Sequence, residues 1–103
     1  MEKDDEETKV IFKKARYYKS GGEPYEEVLA FFPGAPACRG NVMCYAHCGQ
    51  HGEAAYDFYR DSCSPCGMDA YAPLKMELER LGYRLKVVRR ITRKDMDEAW
   101  RPR

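Results

Sequence analysis

The sequence predicts an α+β domain: a small, mainly antiparallel sheet of three or four strands, with a helix over residues 70–81 packed on one face. Three observations carry this. Residues 9–17, 27–32 and 42–48 are rich in β-branched and aromatic residues and are separated by Gly/Pro clusters. Tyr71, Leu74, Leu78 and Leu81 recur at i, i+3, i+7 and i+10, one face of a helix. Tyr83, Leu85 and Val87 then alternate with Arg84 and Lys86, the pattern of a half-buried strand.

In chain order, residues 1–8 form an acidic tail, expected to be flexible, and residues 9–103 a single domain. Lys9–Tyr17 is the first strand and Ser20–Pro24 a turn. Glu27–Phe32 is the second strand, stopped by Pro33; a short helix over Tyr25–Phe32 competes, because Glu26, Glu27, Leu29 and Ala30 favour helix. Pro33–Asn41 is a loop. Val42–Cys48 is the third strand, with Val42, Cys44, Ala46 and Cys48 on one face and Met43, Tyr45 and His47 on the other. Glu53–Arg60 reads as a short helix. In the 70–81 helix, Pro73 belongs in the first turn and Asp69 can cap it, while Gly82 suits a left-handed C-terminal cap. Thr92 can cap a last short helix, with Asp95 at its third position and Ile91 and Met96 placed as a hydrophobic staple.

The chain has 103 residues, 44% hydrophobic and 34% charged, which suits one folded domain and argues against wholesale disorder. Its net charge of +1 gives no global pull toward nucleic acid or membrane. The N-terminus lacks the apolar core of a secretory signal, and the longest apolar run, Val28–Phe32, is too short to span a bilayer. A reducing cytoplasm is the expected location, with the five cysteines as thiols or metal ligands.

The most specific pattern is Cys48-Gly49-Gln50-His51-Gly52 followed by Cys63-Ser64-Pro65-Cys66-Gly67. Each piece reads ligand-x-x-ligand-Gly, as in a metal knuckle. Cys48, His51, Cys63 and Cys66 are therefore the candidate ligands of a structural zinc. Cys44 and Cys48, about 13 Å apart along one strand face, cannot share an ion whose ligand sulfurs lie about 4 Å apart. Cys44 is then a core residue and Cys38 a loop thiol. Tyr45, His47 and Gln50 form a second candidate, a polar pocket at the end of the third strand. An imidazole there suits acid–base chemistry, or simply satisfies backbone groups where the strand turns.

Residues Tyr45-Ala46-His47-Cys48-Gly49-Gln50-His51, Ala54-Ala55, and the run from Tyr71 through Leu81-Gly82-Tyr83-Arg84-Leu85-Lys86-Val87-Val88 to Arg90 resemble a family of small uncharacterised proteins of bacterial and mobile-element genomes. The shared core is Tyr-x-His-x-Gly-Gln-His, an Ala-Ala step and a helix leading into Gly-Tyr-x-Leu-x-Val. The resemblance covers roughly residues 9–91 and brings no activity. In that family Val often replaces Cys48, and non-ligands replace Cys63 and Cys66. The resemblance thus implies a Gly-Gln-His turn kept for a reason other than metal.

Three function classes follow. The first is a non-catalytic binding protein that contacts a protein or small ligand, one form being a mobile-element inhibitor of a host factor. The second is a nucleic-acid binder. Residues 80–103 carry nine Lys/Arg against three acids, with Arg84, Lys86, Arg90, Arg93 and Lys94 as candidate phosphate contacts. Tyr17, Tyr18, Tyr25, Tyr45 and Tyr59 could add a stacking surface. The third is a small Cys/His hydrolase or redox enzyme built on Cys63 and Cys66. Trp100 is expected to dock the last helix.

Overall fold

In the computed structural model, the described residues are 7–18, 20–46 and 50–102, and for Gln50 the backbone alone. The strands are β1 (Thr8–Tyr18), β2 (Pro24–Phe32), β3 (Asn41–Ala46), β4 (Gln50–Ala55), β5 (Cys63–Pro65) and β6 (Leu85–Val87). The helices are α1 (Tyr56–Asp61), α2 (Met68–Arg80) and α3 (Arg93–Ala99). The α+β class holds, but the sheet has six strands rather than three or four.

The sheet runs β4-β3-β2-β1-β5, with every neighbour antiparallel. β6 joins β1 in parallel. β5 and β6 share one edge of β1: β6 pairs with residues 8–10 and β5 with residues 13–15. Thr8, assigned to the tail by sequence, is already the first residue of β1.

Strand alternation sorts the core into two layers. Val10, Phe12, Ala30, Phe32 and Tyr45 meet Leu74 and Leu78 of α2 on one face. Ile11, Ala15, Leu29, Phe31 and Val42 meet Tyr59 of α1, Ile91 just before α3, and Met96 and Ala99 of α3 on the other. Both faces are thus covered, with α2 on one as expected.

Glu53–Ala55, expected in a helix, lies in β4, and α1 begins only at Tyr56. Pairing with β3 from Asn41↔Ala55 to Ala46↔Gln50 overrides the helix preference of Glu and Ala. Pro24–Phe32 is strand throughout, which settles the competing reading there. α2 begins earlier than Pro73 suggests. Gly67 is its N-cap, and Gly67 C=O accepts from the N–H groups of Ala70 and Tyr71. The Tyr71 ring, stacked 4.4 Å from Phe12, ties that first turn to the sheet, so Pro73 sits inside the helix.

The Gly82 and Thr92 caps match the sequence, whereas Asp69, expected to cap α2, lies inside its first turn behind the Gly67 N-cap. Gly82 has φ +107°, and the bonds Gly82 N–H to Glu79 C=O and Tyr83 N–H to Leu78 C=O complete a Schellman motif. Thr92 and Asp95 form a reciprocal capping box, and Ile91 and Met96 are both buried in one cluster. Trp100 docks the end of α3, its Nε1 donating to Asn41 C=O at 2.8 Å. No helix among the described residues is long and apolar enough to cross a membrane.

Candidate binding surface at the β4 edge

β4 is an outer strand, and its hydrogen-bonding pattern can be read from its end. Tyr56 N–H donates to Gly40 C=O at 2.8 Å, continuing the register Asn41↔Ala55. In an antiparallel ladder, bonded and non-bonded pairs alternate. The backbone groups of Gly52 and Ala54 therefore point at β3. Those of His51, Glu53 and Ala55 point away from the sheet.

The side chains of this edge are held by local chemistry. Tyr45, opposite His51 in register, is buried, and its hydroxyl bonds the Glu77 carboxylate of α2. The His51 ring packs edge-on against Tyr45 at 4.6 Å, and its Nε2 lies 2.9 Å from the Tyr83 hydroxyl. The Schellman turn at Gly82 delivers Tyr83 to this position, where its ring stacks on Phe32 at 5.5 Å. His51, Leu81, Gly82 and Tyr83 line an open hollow of about 380 Å³. Leu81, expected on the buried face of α2, is 57% exposed there. Farther along β4, Glu53 Oε1 accepts from Asn41 Nδ2 at 3.0 Å and from Cys38 N–H at 3.1 Å. The Asn41 amide and the Cys38 N–H hold the Glu53 carboxyl below the usual carboxylate range.

Of the polar-pocket candidates, Tyr45 lies in this cluster. His47 and the Gln50 side chain lie outside the described residues, as does Cys48. The expected zinc set is not assembled among the rest. Cys63 packs in the layer beneath α1 and α3, whereas Cys66 packs in the layer beneath α2, so the sheet separates them. Cys66 lies just before α2, and His51 bonds Tyr83 just after it. A helix of that length holds them roughly 20 Å apart. Among the described residues, no three His, Cys, Asp or Glu side chains converge as metal ligands.

The same placement bears on thiol chemistry. Burial pushes the Cys63 and Cys66 thiols up, although Lys13 and Lys14 respectively oppose it. A raised thiol carries little thiolate and makes a weak nucleophile. The two residues face different layers, so the Cys-x-x-Cys spacing does not place them as a redox pair.

The basic candidates are exposed along one stretch of chain. Arg84 C=O accepts from Thr8 N–H, Lys86 stands beside Lys9 in the β6–β1 register, Arg90 follows in a loop, and Arg93 and Lys94 open α3. The aromatic surface proposed beside them does not form as a unit. Tyr45 and Tyr59 are buried on opposite faces of the sheet, and Tyr17 and Tyr25 pair at 5.3 Å on the β1–β2 hairpin.

Sequence reasoning missed the outward groups of Glu53 and Ala55 because it placed them in a helix. The available signal was the alternation of polar His51 and Glu53 with small Gly52 and Ala54. No protein-family model, curated protein or solved structure matches the chain.

Proposed function

We infer that the protein is a non-catalytic interaction module that receives a protein partner along β4. The observation that supports this is the row of outward N–H and C=O groups at His51 and Glu53, continued by the Ala55 N–H. An added strand bonds to such an edge through its main chain and gains specificity from adjoining side-chain hollows. The hollow at His51, Leu81 and Tyr83 adjoins this edge, with an exposed leucine at its rim. The tyrosine–histidine cluster serves here to fix that rim, anchoring the His51 ring to the core through Tyr45.

Ala55→Pro tests the reading with little cost to the fold. Ala55 has φ −62°, the value proline requires, and its N–H points away from β3. The variant should melt within a few degrees of wild type yet lose the protein partner retained by immobilised wild type. Leu81→Asp should weaken the same capture. Retention of that partner by both variants would overturn the reading.

A further inference from the structure

The occupant of the β4 edge follows from its own residues. We propose that it is a second copy of this chain, joined by antiparallel β4–β4 pairing about a two-fold axis at Gly52. This rests on the reading of β4 as the contact edge and adds the identity of the partner.

Self-pairing restricts the register. Only outward residues can exchange hydrogen bonds, so the bonded pairs nearest the axis must come from the outward set that contains His51, Glu53 and Ala55. Centring on Glu53 sets two carboxylates directly opposite each other. Centring on His51 sets imidazole against imidazole. Centring on Ala54 runs the seam into α1, which leaves the sheet at Tyr56. Centring on Gly52 sets His51 of each copy opposite Glu53 of the other, an N–H-bearing ring facing a carboxylate twice. Opposite residues in an antiparallel pair share a face, so both contacts form on the α2 side. Glu53 Oε1 accepts from Asn41 and Cys38 N–H, which fixes a carboxylate that is exposed beside the edge.

Gly52 itself points the same way. It has no positive φ, and a Cβ there would meet nothing within 4 Å. Neither its backbone nor its packing within the chain requires glycine. Glycine weakens a strand and is found where another backbone comes close. At the axis Gly52 forms the narrow, non-bonded pair, with Cα atoms about 4.5 Å apart. The net charge of +1 per chain gives two copies little mutual repulsion.

Sedimentation velocity of the full chain, from low to high micromolar, tests the proposal. Wild type should show a reversible monomer–dimer equilibrium. His51→Glu and Glu53→His should each raise the dissociation constant about tenfold, because each sets like groups opposite each other. The double exchange His51→Glu/Glu53→His should recover most of the affinity. Purely local roles would not produce that rescue, since the exchange removes both the Tyr83 and the Asn41 contacts. A wild-type chain that stays monomeric throughout overturns the dimer, as does a double variant weaker than both singles. A monomer whose His51 and Glu53 amides gain hydrogen-exchange protection only when a different protein is added overturns the second copy and keeps the contact edge.

Discussion

Asp95 shows how one side chain can set an element. Its carboxylate accepts from Thr92 N–H and from Lys9 Nζ, both at 3.0 Å, while Thr92 Oγ1 accepts from Asp95 N–H at 3.1 Å. Burial alone would push the carboxyl up; the Thr92 bonds and the Lys9 ammonium outweigh it and hold it below the usual range. A depressed folded-state pKa gives stability that is present above the unfolded value near 3.9 and lost as pH falls through the folded value. Asp95→Asn should therefore cost about 1 kcal/mol at neutral pH, and the gap to wild type should close on acidification below about pH 4. Urea denaturation across that range checks it. The cysteines give a second expectation. Cys38 is exposed, whereas Cys63 is buried and its thiol raised. Cys38 should react with a thiol reagent in the native state well before Cys63. Equal rates would mean that β5 opens from β1.

At the scale of elements, α2 separates what sequence periodicity joined. Leu78 is fully buried between the helix and the sheet, while Leu81, on the same predicted stripe, is the last residue before the chain turns away. Leu78→Ala should cost ~2–5 kcal/mol by opening a cavity, and Leu81→Ala no more than about 0.5 kcal/mol. Similar losses from the two would show that Leu81 is covered in solution. The caps were legible because they depend on residues a few positions apart: Thr92 with Asp95, Leu78 with Gly82 and Tyr83. β4 was hard to read, because the short alternation of His51 and Glu53 with Gly52 and Ala54 is outweighed locally by the helix preference of Glu53-Ala54-Ala55. Its pairing with β3 makes it a strand. Among the described residues the metal candidates lie apart for a similar reason. Ligand spacing is a local property, but His51 and Cys66 are held apart by the length of α2, and Cys63 and Cys66 by the thickness of the sheet. In the candidate surface, the Tyr-x-x-x-x-x-His spacing of Tyr45 and His51 was visible in sequence; its meeting with Tyr83 depends on where the Schellman turn leaves the chain.

At the scale of the molecule, two apolar layers pack on one sheet. A fold held by these layers should melt unchanged after treatment with a chelator; a lowered midpoint, restored by zinc, would show metal ligands brought together. The arrangement around β1 has a consequence in time. β1 meets β2 within a few residues, and a hairpin forms in microseconds. Its other edge is completed by β6, and Thr8 finds Leu85 only 77 positions later (85 − 8). At roughly 5–20 residues per second, synthesis takes several seconds to cover that distance. During that interval the growing chain carries a finished hairpin whose margin fills in two steps, at residues 13–15 when β5 is made and at residues 8–10 only when β6 is, and chains on neighbouring ribosomes carry the same one. Lys9, Lys13 and Lys14 stand along that margin, and like charges on an open edge oppose its pairing with the same edge of a neighbour until the sixth strand arrives.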